Sequence, residues 1–334
     1  MRVPRSFHAW ISVGLLGTVT ALLVGAGPTA AQPAAMGEDA EPPNAARVLV
    51  QQSHETISHT IEAVARRLDS YFAAETVYED PTGSFGQLTG IATLGKGGNV
   101  DLQPRARLNL VLPHTQRRLR FSLESRDDDS SEEDAAYAAV AKAVEPSDPG
   151  RKVFAGLLLS WLRSGKWTVN AGAGAHVKIP LDPYTRVRAR YTLPLSGWVF
   201  RASETVFWFD STGVGETSRV QADFAFSDRL LFRVSPEATY LWRDDTFELS
   251  TSVFLFQQLT ERQGLAWQAG IFGETNPRWR RTGYLGRVRY RVQIYEKWIY
   301  AEVDPEVRWE RDDGFRPAPF VSLRLDFLFG DEYE

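Results

Sequence analysis

Val288-Arg289-Tyr290-Arg291-Val292-Gln293-Ile294 alternates strictly, with Val288, Tyr290, Val292 and Ile294 on one side and Arg289, Arg291 and Gln293 on the other. A repeat of two is the mark of a β-strand, whose successive side chains point to opposite faces. The same alternation recurs from about Val100 to Phe329, and its polar positions are rich in arginine. In a water-soluble sheet the apolar faces would meet a core, yet the sequence leaves no helices to cover so many of them. Lipid is the cover that remains. A sheet in lipid must close on itself, because hydrocarbon offers no partner to the N–H and C=O groups of an open edge.

Composition fits that reading. The chain has 334 residues, enough for one large barrel or two soluble domains, and 12% of them are aromatic, ten being Trp. Past the N-terminus no stretch approaches the ~18 apolar residues of a spanning helix, which argues against a helical membrane protein. Outer-membrane strands need only about ten alternating residues, which reconciles a membrane protein with a mean hydropathy of -0.28. A net charge of -4 with a pI near 5.9 argues against a nucleic-acid partner.

The N-terminus carries an address. Arg2 and Arg5 precede an apolar run from about Ile11 to Ala26, and Pro28-Thr29-Ala30-Ala31-Gln32 supplies a small-residue cleavage site. This reads as a signal peptide over residues 1–31, cut after Ala31; the run is too short and too rich in Gly and Thr for an anchor. The absence of cysteine rules out a lipid-modified cysteine and disulfides, neither of which a barrel closed by hydrogen bonds requires. The expected location is the outer membrane of a Gram-negative cell.

Residues 32–44 read as a Pro- and Ala-rich linker and 45–80 as an N-terminal helical region. In the latter Ile57, Ile61, Val64, Leu68 and Tyr71 form one apolar stripe. Three uses fit it: a periplasmic coiled coil through which copies self-associate, a plug packed in the barrel, or a helix lying on the membrane. The last is disfavoured because Glu62 and Asp69 mix with Arg66 and Arg67 on the polar face.

The barrel is expected over residues 84–330, with fourteen antiparallel up-and-down strands, or twelve if the first pair is irregular. They are expected at about Phe85–Leu94, Val100–Leu112, Arg117–Arg126, Lys152–Arg163, Trp167–Lys178, Thr185–Leu193, Trp198–Phe209, Arg219–Phe226, Leu230–Trp242, Phe247–Gln257, Leu265–Glu274, Tyr284–Tyr295, Trp298–Trp309 and Phe320–Phe329. Short turns such as Ser164-Gly165-Lys166 and Glu296-Lys297 alternate with longer loops: Asp127–Arg151, Asp210–Ser218, Thr275–Gly283 and Glu310–Pro319. The short turns belong to the periplasm. Six carboxylates in Asp127–Asp134 lack the glycine and spacing of a calcium loop and read as a solvated segment.

Turning apolar positions to lipid sends Arg105, Arg107, Arg186, Arg188, Arg190, Arg287, Arg289 and Arg291 inward. Glu302, Asp304, Glu306 and Arg308 follow on the next strand, and Arg324 and Asp326 on the last. Arginine at the lipid midplane costs about 2–4 kcal/mol, so the inward assignment follows directly. Two roles compete for these charges: a path for anionic solutes, or a lattice of ion pairs that fixes strand register. Glu204 breaks the pattern, sharing the face of Phe200, Ala202, Val206 and Trp208, so a bulge or a reversed face is expected there. Trp167, Trp198, Trp242, Trp298, Trp309, Tyr184 and Tyr284, at strand ends, suit interfacial belts.

Catalytic patterns are weak. His54 and His59 are wrongly spaced for a shared metal on one helix face, and His114 sits in a turn. His176 is expected in the lumen beside Asn170 and Lys178, with no serine tied to it by spacing and no G-x-S-x-G in the chain. No catalytic residue, metal site or cofactor is assigned, and a lipid-modifying enzyme ranks third.

Trp298-Ile299-Tyr300-Ala301-Glu302-Val303-Asp304-Pro305-Glu306-Val307-Arg308-Trp309, with Arg311-Asp312-Asp313, Leu323-Arg324-Leu325-Asp326, Gly273-Glu274-Thr275-Asn276-Pro277 and Tyr290-Arg291, resembles uncharacterised outer-membrane β-barrel proteins of Gram-negative bacteria. The resemblance covers about Leu68 to the end and implies fold and compartment, with no site residues to carry over. It departs in one respect: such barrels typically finish on an aromatic residue, whereas Phe329 is followed by Gly330-Asp331-Glu332-Tyr333-Glu334. That implies a weaker signal to the outer-membrane assembly machinery. Expected partners are that machinery and outer-membrane lipid with lipopolysaccharide. The expected function is a narrow, porin-like channel for small, anionic solutes, with an envelope interaction role through the N-terminal helix as the alternative.

Overall fold

The computed structural model describes residues 63–65, 67, 68, 71, 84–95, 98–112, 119–126, 152–177, 180–195, 197–275, 278–296 and 298–330. The chain divides into two units, Met1–Val48 and Leu49–Glu334, and every described residue belongs to the second. The signal peptide, the linker, the acidic run Asp127–Asp134 and most of the N-terminal helical region lie outside the described residues.

Fourteen strands follow one another: β1 (Phe85–Leu94), β2 (Val100–Val111), β3 (Leu119–Arg126), β4 (Lys152–Ser164), β5 (Trp167–His176), β6 (Asp182–Leu195), β7 (Trp198–Phe209), β8 (Gly213–Ser227), β9 (Leu230–Leu241), β10 (Thr246–Thr260), β11 (Gln263–Glu274), β12 (Arg280–Tyr295), β13 (Ile299–Glu310) and β14 (Pro317–Gly330). Each pairs antiparallel with its sequence neighbours, and β14 pairs with β1 from Phe85↔Gly330 to Leu94↔Val321 without a shift, so the ring is closed. The fourteen-strand expectation holds. Chain entry at Phe85 and exit at Gly330 share one end with the tight turns 165–166, 228–229 and 261–262, which is the periplasmic end by turn length.

Burial is inverted relative to a soluble protein. Arg291 (2% exposed), Asp326 (0%) and Asp223 (0%) lie inside, while Leu102 (69%), Trp161 (70%) and Leu323 (53%) face out. Water-soluble monomers rarely expose a continuous apolar surface beyond a few hundred Å², and here it runs around every strand. The molecule is a transmembrane β-barrel. Aromatic rings gather at both rims of that surface: Trp167 with Tyr191 (centroids 4.9 Å apart), Trp198 with Phe224 (5.0 Å) and Tyr295 with Trp298 (5.6 Å) at the periplasmic end, and Tyr240 with Phe247 (4.6 Å) at the other.

Three expectations need correction. Tyr184 belongs to no belt: it points inward, 9% exposed, with its hydroxyl lying over Gly156 and Gly174, where there is no Cβ to displace it. The supposed loop Asp210–Ser218 is mostly strand, because β8 begins at Gly213 and pairs with β7 as far as Phe209↔Gly213. Glu216 and Ser218 stand there at outward positions, so apolar alternation stops although the ladder continues; β12 and β14 likewise begin at Arg280 and Pro317, within the expected loops Thr275–Gly283 and Glu310–Pro319. Finally, β7 has neither bulge nor reversal at Glu204. It pairs in unbroken register with β6 and β8, and Glu204 stays outward, accepting a hydrogen bond from the hydroxyl of its direct opposite, Ser218 (2.6 Å).

Candidate functional site: the lumen

Because strand alternation fixes the face, every arginine and carboxylate singled out from the sequence can be placed by register. On β12, Arg287, Arg289 and Arg291 face β13, which presents Glu302, Asp304 and Glu306 to the same interior. Arg287 Nε donates to both carboxylate oxygens of Asp304 at 2.7 Å, and Arg289 Nε lies 3.3 Å from Glu302 Oε1. Arg291 Nη1 donates to Asp326 Oδ2 at 2.8 Å and to Glu302 Oε2 at 3.3 Å. Its guanidinium also lies over the Tyr300 ring, 4.5 Å from the centroid. Arg308 pairs with Glu306, and Arg324 Nη1 stands 3.9 Å from Glu302. The lattice crosses the seam, where the Thr89 hydroxyl (2.7 Å) and Gln87 Nε2 (3.2 Å) donate to Asp326. Buried charges need partners on this scale, since an uncompensated one costs several kcal/mol.

A second node went unread in the sequence. Arg233 Nε and Nη2 donate to Asp223 at 2.7 and 3.0 Å, Arg201 pairs with the same carboxylate, and Arg219 pairs with Glu237. The signal was present. Arg219-Val220-Gln221-Ala222-Asp223 alternates as clearly as β12 does.

The remaining arc is arginine-rich. Arg105 and Arg107 line β2, where Arg107 Nε donates to Glu124 Oε1 at 2.9 Å. Arg186, Arg188 and Arg190 form a ladder on β6. Their direct opposites are Gly172, Asn170 and Thr168 on β5, and Phe207, Thr205 and Ser203 on β7. No carboxylate occupies any of those six positions. Above the ladder, Phe154, Tyr184, Phe207, Phe209 and Leu241 pack into a lumenal aromatic cluster, and His176 stacks on Phe154 (4.8 Å). His176 stands opposite Asp182, whose carboxylate accepts from the Ser211 amide (2.9 Å) and hydroxyl (2.7 Å). Among the described residues no group of three or more His, Cys, Asp or Glu is arranged to hold a metal ion.

The described helical residues lie within this lumen. Val64, Ala65 and Leu68 are buried against Leu231, Phe254, Phe256 and Ala266, all inward-facing, with Ala225 and Tyr71 alongside. The Tyr71 hydroxyl donates to the Arg291 carbonyl oxygen at 3.0 Å, and its ring meets Tyr300 edge-on at 6.1 Å. Burial holds the Tyr71 phenol well above its ordinary range, against the pull of Arg291, so it remains a neutral donor. Ile57 and Ile61 lie outside the described residues.

No protein-family model and no curated protein sequence matches the chain. Among solved structures, the chain is similar to a loop L8 deletion mutant of OmpT, an outer membrane protein of Vibrio cholerae, at 8% identity over 74% of this chain and 98% of that one, with a TM-score of 0.47. It is also similar to the outer membrane channel DcaP of Acinetobacter baumannii, at 8% identity over 75% and 99% of the two chains, with a TM-score of 0.44. Likeness at this level bears on no function. The chain's own closed ring, apolar exterior and charged interior make it a barrel of the outer-membrane type.

Proposed function

We propose that the protein is a narrow, non-enzymatic outer-membrane channel that favours small anionic solutes. One observation carries this reading: Arg186, Arg188 and Arg190 follow one another along the lumenal face of β6, and Arg105 and Arg107 on β2 add to the same arginine-rich arc. A row of guanidinium groups at the ~6.8 Å spacing of alternate strand residues lowers the energy of an anion at each step without one deep well. The β12–β14 charges are paired with one another within about 4 Å, which suits them to holding the wall. The exterior belt would meet lipid and lipopolysaccharide, and the β14 end would be read by the assembly machinery.

The test is the reversal potential of purified protein in a planar bilayer across a potassium chloride gradient. Anion preference is expected, and Arg186→Gln/Arg188→Gln/Arg190→Gln should bring it close to zero. Cation preference in the unaltered protein, or no current at all, overturns the proposal.

A further inference from the structure

Near the periplasmic turns the lumen carries an apolar patch that water should not be left to wet: Leu231, Phe254, Phe256 and Ala266, on β9 to β11. Val64, Ala65 and Leu68 cover it, the last two at 0% exposure. The other face of the same helical residues is turned to solvent, with Ala63 and Arg67 exposed. Tyr71 fastens the far end to β12 through the Arg291 carbonyl. All these contacts fall on β8 to β13.

From this we infer that the helical residues bearing Val64, Ala65, Leu68 and Tyr71 are a resident plug on one side of the periplasmic exit, which confines solutes to a passage along the arginine-rich side and so sets the selectivity of the pore. The inference rests on the channel reading. Its size can be judged. Fourteen strands ~4.8 Å apart and tilted ~40° enclose a backbone circle of roughly 28 Å. Side chains reduce that to about 18 Å, and a helix ~10 Å across fills roughly a third of the section. Removing it opens a route past the ion-paired β12–β14 wall, where an anion gains nothing over a cation.

Leu68→Asp sets a carboxylate against Phe254 and Phe256, releasing the helix while every strand stays unaltered. Conductance is expected to rise about 1.5-fold and anion preference to fall with it; heat-modifiable gel mobility checks that the barrel has formed. Since the chain has no cysteine, a second measurement needs no conductance. With a water-soluble maleimide on the folded full-length protein, Leu68→Cys should be protected and Arg67→Cys labelled. Unaltered protein that conducts with Leu68→Asp identical to it, or Leu68→Cys labelled as fast as Arg67→Cys, overturns the plug. Silence from both proteins in the bilayer instead overturns the channel reading on which the inference stands.

Discussion

Strands β12 and β6 each set three arginines inward at alternate positions, and the two ladders meet different neighbours across the sheet. Arg287, Arg289 and Arg291 face the carboxylates of β13, with β14 beyond, and are tied into a lattice; Arg186, Arg188 and Arg190 face glycine, amide, hydroxyl and phenyl groups. The ladders look alike strand by strand. Register against the neighbouring strands separates them, so the role of a lumenal charge is a property of three strands rather than one. Cohesion differs as well. The lattice wall is held by ion pairs, and the ladder wall has rings lying on glycines, Tyr184 over Gly156 and Gly174 and Phe207 over Gly215.

The largest effect should come from breaking the lattice. Arg291→Ala removes the guanidinium that Glu302 and Asp326 share in a buried setting and should cost about 3 kcal/mol, read as a fall in the urea midpoint of the detergent-folded barrel. Next is the packing of the ladder wall. Gly174→Ala would press a methyl group into the Ala155 carbonyl oxygen and the Tyr184 hydroxyl, at about 1–3 kcal/mol, with the Arg291 lattice untouched. Converting one wall into the other is gentler: Thr205→Glu, opposite Arg188, should stabilise by less than about 1 kcal/mol while abolishing most anion preference in the bilayer assay. A cost above that of Gly174→Ala would mean that the β6 ladder is structural after all. The smallest change is expected on the exterior, where Glu204→Leu removes a carboxylate from the lipid face and should raise the unfolding midpoint by the equivalent of about 1 kcal/mol.

Most of the fold could be read from alternation, because a ring in lipid repeats one rule on every strand. Legibility failed where the rule is suspended. From Gly215 to Ser218 the outward positions, Glu216 and Ser218, are polar, so a strand looked like a loop. At Glu204 the chain sets a carboxylate outward in mid-strand and satisfies one oxygen through Ser218, a partner fourteen residues away that only register could reveal. Tyr184 was misplaced for a related reason: an aromatic residue at a strand end suits a belt, and only the glycines on β4 and β5 give it a bed inside. Arg201, Asp223 and Arg233 were legible by period but not as a group, since their meeting depends on three strands in register. Of the helical stripe, the sequence showed the apolar face at Val64, Leu68 and Tyr71 but not its counterpart, Leu231, Phe254, Phe256 and Ala266, which lies far along the chain.

The pairing of the first stave with the fourteenth has a consequence for biogenesis. Until Pro317–Gly330 is in place, the sheet has two raw margins, on β1 and β13, each a template for adhesion to another chain. A polypeptide cut short before that last stave would therefore not make a leaky hole; it would make an unsealed ribbon destined for chaperones, proteases or aggregates, and the cell would be spared a pore without a rim.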